Sequence, residues 1–266
     1  MSRPILEIAD ICFQRQGKHI LRNFSLSVKK GSIVGVMGPS GIGKTTLLNI
    51  LNGLQKPDSG SVTYKNLEVT TLTKKQIYKL RANIGHMFQH GALFTHLNIF
   101  DNVAFPLREN TSLPDHMIRD IVLLKLEAVG LRGTAQMMPN QLSGGMARRV
   151  ALARSIALDP ELMLYDEPFT GQDPISTAIL TKLILKMRNV LNLTSIVVSH
   201  DLNAVKDIAD EVIILGRGEI IAKGSVAEIY SSKNAEVSQF IKGLPDGPIP
   251  FNYPNKHSLA QEILYA

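Results

Sequence analysis

Tryptophan is absent from the 266-residue sequence, and cysteine occurs once, at Cys12. A single cysteine excludes a disulfide bond within the chain and fits a reducing compartment. No stretch approaches the roughly 18 apolar residues that a membrane-spanning helix needs. The first seven residues include an acidic side chain, Glu7, and lack the apolar core of a secretion signal. We therefore expect a chain of cytoplasmic character, in which any role at a membrane depends on a partner.

Charge is moderate in amount and dispersed along the chain. Charged residues make up 20% of the sequence, the formal net charge is +6, and the sequence pI is near 9.4. A positive balance favours anionic partners such as nucleotides, lipid head groups or nucleic acid. The lysines and arginines are scattered, however, and no basic run is long enough for a nucleic-acid-binding arm, so we predict no nucleic-acid partner. A hydrophobic content of 44% indicates a sizeable core, in one large α/β domain or in a domain with an inserted subdomain.

The N-terminal part of the chain has strand patterns followed by a helix. Residues 5–13 and 19–28 interleave β-branched and aromatic side chains around a turn at Gly17, which predicts two strands. Residues 33–37 form a short apolar run before a glycine, typical of a strand that is buried on both faces. Residues 44–54 then predict a helix. A strand, a glycine-rich loop and a helix therefore follow one another directly.

Helical spacing dominates between about residues 89 and 157. Residues 118–129 have helical periodicity and are bounded by Pro114 and Gly130. Ser143 has the residue type and position of an N-cap for a second helix. The apolar residues that share one face of that helix are Met146, Val150, Ala153 and Ala157. We interpret this stretch as a mainly helical insertion.

Strand patterns return in the C-terminal half, before a proline-rich tail. The predicted strands are residues 162–165, 195–199, 212–215 and 220–221. Between the first two strands, a predicted helix has a stripe that we expect to be core: Ile175, Ile179, Leu183 and Met187. Residues 244–254 contain four prolines and cannot form a regular element. This tail is either disordered or an extended segment docked through Ile249, Phe251 and Tyr253.

Residues 38–45 match the pattern G-x-x-x-x-G-K-[ST] in the strand–loop–helix context that the pattern requires. Glycines let backbone N–H groups point at phosphates, and the helix N-terminus adds partial positive charge. Lys44 can reach the β- and γ-phosphates, and the Thr45 hydroxyl can ligate magnesium. The alternative is a chance glycine-rich turn. The predicted nucleotide-binding residues here are Gly38, Pro39, Ser40, Gly41, Ile42, Gly43, Lys44, Thr45 and Thr46.

Two acidic residues, Asp166 and Glu167, close a later apolar strand. Both carboxylates are expected at the sheet edge that carries the phosphate loop. Asp166 can hold magnesium directly or through its water, and Glu167 can polarise the attacking water as general base. Successive strand residues face opposite ways, which suits two distinct roles. A solvated acidic strand end is the alternative.

Two polar residues follow other buried strands. His200 comes after residues 195–199, so its imidazole can bond the γ-phosphate or the attacking water, and we predict a catalytic role. The alternative is an ordinary surface or core histidine. Gln89 stands where the strand pattern passes into the helical insertion, and its amide can ligate magnesium and respond to the γ-phosphate. A loop glutamine without a special role is the alternative.

A second glycine turn, Ser143-Gly144-Gly145, opens a helix and exposes N–H groups and a hydroxyl to an anion. The chain's own nucleotide is already served by the phosphate loop. One interpretation is a head-to-tail pair in which each turn closes on the γ-phosphate of the other subunit. The other interpretation is a simple helix cap.

Five elements follow one another along the chain: the phosphate loop, Gln89, the turn at residues 143–145, the acidic pair at 166–167 and His200. In this order they resemble the ATP-binding subunits of ABC transporters over about residues 4–232. The resemblance implies an α/β P-loop NTPase (RecA-like) core, with an antiparallel β subdomain and a helical subdomain inserted at about residues 90–157. A proline-rich extension would follow at 233–266. It further implies ATP and Mg²⁺ as cofactors, a homodimer, and Asp173 at the dimer interface. This chain departs from the family at two positions. The family has glutamine where this chain has Met146. The family also has an aromatic residue that stacks on adenine near the position of Arg15, whose guanidinium plane can likewise stack on a base.

Four segments, residues 88–94, 102–108, 142–149 and 246–251, resemble the ATPases of phospholipid-transport systems of Gram-negative bacteria. This resemblance implies a peripheral subunit on the cytoplasmic side of the inner membrane. Its partners would be an integral-membrane permease, an MCE-domain lipid-binding protein and a small STAS-domain regulator. The tail would pack on the partner ATPase subunit. The apolar segment 91–105 would pass motion to the permease, unless its large side chains belong to the core.

Other functions share the same hydrolytic motifs. One alternative is the ATPase of an importer for another substrate. Another is a soluble ABC ATPase of translation or DNA repair, but those usually carry two cassettes or a long coiled-coil insertion. This chain has one phosphate loop and no sustained heptads. A subunit without turnover is disfavoured because both Glu167 and His200 are present.

Overall fold

The computed structural model describes residues 4–89 and 91–249, which contain ten β-strands and nine α-helices. The strands are β1 (Leu6–Arg15), β2 (Lys18–Val28), β3 (Ile33–Met37), β4 (Ser59–Tyr64), β5 (Leu67–Glu68), β6 (Ile84–Met87), β7 (Leu162–Asp166), β8 (Thr194–Ser199), β9 (Glu211–Gly216) and β10 (Glu219–Gly224). The helices are α1 (Lys44–Leu51), α2 (Lys74–Arg81), α3 (Ile99–Asn110), α4 (Asp115–Ala128), α5 (Gly144–Ser155), α6 (Pro174–Leu191), α7 (Leu202–Val205), α8 (Val226–Tyr230) and α9 (Ala235–Lys242).

A six-stranded sheet with the order β10-β9-β3-β8-β7-β6 forms the centre of the molecule. All of its pairings are parallel except that of β9 with β10. Every residue of β3, β7 and β8 is buried, as expected for continuous apolar runs with both faces covered. Because parallel strands end at the same edge, the residues after Met37, Asp166 and Ser199 come together there.

A second, antiparallel sheet has the strand order β2-β1-β4-β5. Alternating residues of β2, such as Phe24, Leu26 and Val28, are buried while their neighbours are exposed. This buried face packs with α1 and with one side of the central sheet in a single apolar cluster. The antiparallel β subdomain that the family resemblance predicted is therefore confirmed.

Helices α3, α4 and α5 lie between β6 and β7 along the chain and pack against one another, as the predicted helical insertion requires. Asn102 of α3 is completely buried and ties residues 94–98 to this helix. Its side-chain NH₂ donates to the carbonyl groups of Phe94, Leu97 and Asn98, and its Oδ1 accepts from the N–H of Phe94. Of the segment 91–105, Ile99 belongs to the core whereas Phe105 remains 39% exposed.

Two sequence predictions need correction. Helix α1 ends at Leu51, three residues early, because Gly53 turns the chain with a left-handed φ of 69°. The predicted stripe of α6 is wrong at its N-terminal end, where Ile175 is 73% and Ile179 39% exposed. The core-facing residues are Leu180, Ile184 and Met187, whose spacing also fits a helical period.

Helix α9 lies near the end of the described chain and buries Val237 in the main apolar core. Residues 244–249 follow α9, and the backbone of Ile249 bonds to the side chain of Gln239. Phe251 and Tyr253 lie outside the described residues, as does His90. Among residues 4–89 and 91–249, no helix combines the length and the apolar character needed to cross a membrane.

Candidate nucleotide site

The phosphate loop connects the end of β3 to the first residue of α1, where backbone N–H groups are unpaired. Gly43 immediately precedes the helix with a left-handed φ of 111°. A Cβ atom there would lie 2.7 Å from a side-chain carbon of Ile20 and 3.0 Å from its carbonyl oxygen, so only glycine fits. The loop and the helix N-terminus thus form a concave, amide-lined surface suited to a polyphosphate.

Lys44, the first residue of α1, directs its ammonium group across this loop. The side chain is 6% exposed, and Nζ donates to the carbonyl oxygens of Gly38 at 2.7 Å and Pro39 at 3.1 Å. Nζ also lies 3.4 Å from Oε1 of Glu167. Burial lowers the pKa of Lys44, and the Glu167 carboxylate opposes that shift. The cation is therefore held beside the loop by groups that phosphate oxygens can replace.

Thr45 and Asp166 bring a hydroxyl and a carboxylate together at the end of β7. Thr45 Oγ1 donates to Asp166 Oδ1 at 3.1 Å, and Asp166 is 3% exposed. Burial raises the pKa of Asp166, and the hydrogen bond from Thr45 opposes the shift. Among the described residues, no group of three or more histidine, cysteine or acidic side chains could hold a metal. A hydroxyl, one carboxylate and substrate phosphates are the ligands magnesium commonly uses, so the donor set fits Mg²⁺ with a nucleotide.

Glu167 lies after β7 rather than on it, and its backbone is left-handed with φ 47°. The expected alternation of successive strand residues therefore does not apply to it. The carboxylate is instead oriented by its contacts. Oε2 lies 2.8 Å from His200 Nδ1 and accepts from the Thr170 hydroxyl at 3.2 Å, while Oε1 faces Lys44. His200 and Glu167, predicted separately, form one hydrogen-bonded pair.

A pocket of about 340 Å³ contains most of the predicted nucleotide contacts. It is lined by Arg15, Ile20, Ser40, Gly41, Gly43, Lys44, Thr45, Thr46, Gln89 and Glu167. Arg15 and Gln89 are exposed side chains, and they reach this pocket from β1 and from the end of β6. The structure thus brings both residues to the phosphate loop. Whether Arg15 stacks on a base stays a prediction.

The turn Ser143-Gly144-Gly145, called the signature turn below, lies apart from this pocket. Ser143 caps α5 by accepting from the N–H of Met146 at 3.3 Å. Asp173 likewise caps α6 by accepting from the N–H groups of Ile175 and Ser176. The Ser176 side chain, followed by these backbone bonds, lowers the pKa of Asp173.

The two caps are neighbours because α5 and α6 approach closely. A Cβ atom on Gly145 would lie 2.5 Å from Ser176 Oγ, whereas one on Gly144 would meet nothing within 4 Å in the described part of the chain. Ser143, Gly144 and Asp173 are all exposed. The helix-cap role of Ser143 is therefore present, and the anion-binding role remains open to a ligand from outside the chain.

Sequence reasoning missed Thr170, which shares a carboxylate oxygen with His200. Its spacing of three residues from Glu167, within a turn closed by a Thr170 N–H to Glu167 carbonyl bond of 3.4 Å, is the signal that could have indicated it. Ile20, which limits the space around Gly43, lies 23 residues earlier and leaves no comparable signal.

The family model described as "ABC transporter" matches residues 21–170. This chain belongs to the ABC transporter family, and its P-loop core with an inserted helical subdomain is the ATP-binding cassette of that family. It is 51% identical to the intermembrane phospholipid transport system ATP-binding protein MlaF of Haemophilus influenzae over 254 residues, 96% of each protein.

Two further proteins show the same relationship. MlaF of Escherichia coli strain K12 is 48% identical over 250 residues, covering 94% of this chain and 93% of that protein. A dimeric structure of the ATP-binding cassette MJ0796 in a post-hydrolysis state, bound to ADP and Pi, is 31% identical with a TM-score of 0.77. The match covers 83% of this chain and 98% of that one. The predicted fold is therefore confirmed.

Proposed function

We propose that this chain hydrolyses ATP to ADP and phosphate and thereby drives phospholipid transport between the inner and outer membranes. The observation that carries the hydrolytic part is the arrangement of Glu167. Its carboxylate lies between the Lys44 ammonium and the His200 ring, at the edge of the phosphate-loop pocket. Such a carboxylate can accept a proton from water that attacks the γ-phosphate, while Lys44 stabilises the charge on the phosphate oxygens.

Magnesium fits beside this base. Thr45 Oγ1 and Asp166 Oδ1 would hold the ion, with the Gln89 amide at the rim of the same pocket. A bound magnesium ion supplies charge neutralisation for the β- and γ-phosphates. The chain's own contribution is to orient these oxygens, because Asp166 is buried and its carboxylate is fixed by the Thr45 hydroxyl.

A homodimer would complete the site. The signature turn does not line the chain's own pocket, yet it exposes a serine hydroxyl and helix N–H groups. We propose that Ser143, Gly144 and Gly145 close on the γ-phosphate held by a second copy, with Asp173 beside them at the interface. The dimeric cassette bound to ADP and Pi, to which this chain is similar, supports that assembly.

The transported substrate is inferred from relatives. Two proteins about half identical over nearly the whole chain are named as ATP-binding proteins of an intermembrane phospholipid transport system. We propose the same role here, as a peripheral subunit on the cytoplasmic side of the inner membrane. An integral-membrane permease, an MCE-domain lipid-binding protein and a small STAS-domain regulator would be its partners.

A groove of about 450 Å³ supports the contact with a permease. It opens between β6 and α3, and its lining includes the rings of Phe94, Phe105 and Phe88, the residue before Gln89. Phe88 and Phe105 are 41% and 39% exposed, unusual for side chains of this size. A segment of the permease bound in this groove would move with Gln89. This agrees with the expectation that the apolar segment 91–105 passes motion to the permease.

We further propose residues 4–232 as the ATP-binding domain, with 90–157 as its helical subdomain and 233–266 as an extension. Helix α9, at the start of that extension, packs on the core. The bonds between Gln239 and Ile249 hold residues 244–249 against α9. The tail would then pack on the second subunit.

The test is recovery of the complex from the cell in which the chain occurs. The chain would be tagged, the membranes extracted in mild detergent, and co-purifying proteins and lipids identified by mass spectrometry. Recovery of a permease, an MCE-domain protein and phospholipid supports the proposal. A different permease, or recovery from the soluble fraction alone, leaves the ATPase chemistry and removes the lipid assignment.

A matched pair of variants makes the experiment specific to the groove. Phe105→Asp places a charge in the groove and should release the permease. Tyr230→Asp changes a comparably exposed aromatic residue on α8, which does not line the groove, and should retain it.

A further inference from the structure

Helix α5 sends arginine side chains into the folded chain beyond the signature turn. Arg148 Nη2 donates to the carbonyl oxygen of Thr170 at 3.1 Å. Arg149 Nη1, one residue later, donates to the carbonyl oxygen of Val129 at the end of α4, at 3.2 Å. Arg148 is therefore the one of these two neighbours that contacts the loop between Glu167 and α6.

Thr170 connects this arginine to the carboxylate that serves as base. While its carbonyl accepts from Arg148, its hydroxyl donates to Glu167 Oε2 at 3.2 Å. His200 Nδ1 lies 2.8 Å from the same oxygen. The backbone N–H of His200 also donates to Oε2, at 3.3 Å, so three groups fix this oxygen. The other oxygen, Oε1, is left facing Lys44. Two consecutive hydrogen bonds therefore lead to Glu167 from α5, the helix that the signature turn opens and that is called the signature helix below.

The burial of Arg148 indicates a role beyond packing in the core. The residue is 5% exposed, and its Nη1 has no hydrogen-bond partner among the described residues. Burial lowers the pKa of this guanidinium, a direction that reflects the cost of desolvating the cation. An apolar side chain of similar volume would cost less free energy at such a position. Within the described chain the guanidinium has one hydrogen-bond partner, the Thr170 carbonyl, so its burial is best explained by what it holds in place.

We propose that Arg148 and Thr170 are positioning residues for hydrolysis, through which the orientation of Glu167 depends on the signature helix of the same chain. The inference rests on the proposed function, in which Glu167 is the base and the signature turn closes on the nucleotide of a second copy. Displacement of α5 moves the Thr170 carbonyl and, with it, the hydroxyl on Glu167. Each subunit's base then responds to whether its own signature turn is seated on the partner's nucleotide.

The first test compares Thr170→Val with Thr170→Ser in the detergent-extracted complex. Valine keeps the shape and the carbonyl group but removes the hydroxyl. Losing one hydrogen bond to a charged group predicts a fall in kcat of roughly ten-fold. KM and ATP binding should remain unchanged, because Thr170 does not line the nucleotide pocket. Serine restores the hydroxyl and should restore kcat. Wild-type kcat in Thr170→Val, or equal loss in both variants, overturns the proposal.

The second test compares Arg148→Met with Arg149→Met. Methionine keeps the apolar stem and removes the guanidinium, and the control removes an equivalent arginine bonded to α4 instead. We expect kcat to fall further in Arg148→Met than in the control, by an amount approaching the roughly ten-fold loss in Thr170→Val, with KM unchanged. Equal loss in the two variants overturns the role of Arg148. If Arg148→Met does not fold, the Thr170 pair decides the question.

Failure of this inference is distinguishable from failure of the proposed function. Glu167→Gln should lose hydrolysis whether or not Thr170 positions the carboxylate. Full activity of Thr170→Val beside an inactive Glu167→Gln would remove the link alone, whereas an active Glu167→Gln would remove the base itself.

Discussion

Glu167 Oε2 and His200 Nδ1 lie 2.8 Å apart, although 33 positions separate the two residues in the chain. The backbone N–H of His200 donates to the same oxygen at 3.3 Å. The pair joins the residue after β7 to the residue after β8, and these strands are hydrogen-bonded neighbours in the sheet. These contacts from the end of the adjacent strand restrict the orientation of the Glu167 carboxylate. Proton transfer from a positioned water requires such a fixed orientation.

Glu167→Gln should lower ATP hydrolysis by at least roughly 100-fold, the usual contribution of a general base. Glutamine has nearly the same shape but cannot accept the proton from water. ATP binding should persist, so the ATP-bound dimer should accumulate. Phosphate release and size-exclusion chromatography with ATP would measure the two effects. Glu161→Gln is the control, because Glu161 lies at the other end of β7, where its charged partners within residues 4–89 and 91–249 are Lys30 and Lys65. Wild-type turnover of Glu167→Gln would remove this residue as base.

Gly144→Ala and Gly145→Ala should separate two roles of the signature turn. A methyl group on Gly145 meets Ser176, whose Cβ would be 3.0 Å away, so we expect a loss of about 1 kcal/mol of stability. A methyl group on Gly144 meets none of the neighbouring residues that the structure describes within 4 Å, and stability should be unchanged. It would, however, occupy space that a second copy's nucleotide needs. ATPase activity should therefore fall in both variants, and chemical denaturation should show a loss only for Gly145→Ala.

The result for Gly144→Ala is the more informative of the two. Wild-type hydrolysis in that variant would contradict closure of the signature turn on a partner's nucleotide. A helix cap with no further role predicts that outcome.

Lys44 and Thr170 differ in whether a local sequence pattern could predict their place in the site. Lys44, Asp166 and His200 each follow a strand with a distinctive apolar run, and parallel strands end at one edge, so local patterns were enough to bring them together. Thr170 depends on an arginine 22 positions earlier, and no local pattern records that contact. The same limit applies to α6, where apolar periodicity fits two neighbouring stripes and only packing on the core selects Leu180 and Ile184.

His86 predicts a pH dependence of stability. Its Nδ1 lies 2.9 Å from Asn52 Nδ2, and Asn52 Oδ1 accepts from the N–H of Leu54, so the amide presents its donor to the ring. Burial lowers the pKa of His86 to about 4 from an ordinary value of 6.5. Between those two pH values the unfolded chain binds more protons than the folded chain. The free energy of unfolding should therefore decrease as pH falls through this window, by on the order of 2–3 kcal/mol.

Chemical denaturation of wild type and His86→Gln between pH 7 and pH 4 would measure this contribution. The stability difference between the two proteins should change across the window, because glutamine does not titrate. His116→Gln, which replaces an exposed histidine on α4, is the matched control for the loss of a histidine. A constant difference for His86→Gln would show that the ring is protonated without cost.

Gln239 predicts how the C-terminal segment is held. The side chain is 6% exposed, its Nε2 donates to the Ile249 carbonyl at 3.0 Å, and its Oε1 accepts from the Ile249 N–H at 2.7 Å. Gly247 passes so close that a Cβ atom there would lie 2.5 Å from the Gln239 side chain. Gln239→Leu removes both bonds and should speed deuterium exchange at the Ile249 amide by roughly ten-fold or more, since each lost bond is worth about 1 kcal/mol.

The same variant connects the tail to assembly. If the tail packs on the second subunit, both Gln239→Leu and deletion of residues 245–266 should weaken the dimer while leaving ATP binding intact. Lys242→Leu, an exposed change on the same helix, should have neither effect. Sedimentation of the Glu167→Gln background with ATP would measure dimer affinity without turnover. Faster exchange at Ile249 combined with an unchanged dimer would confine the role of Gln239 to its own chain and remove the tail from the interface.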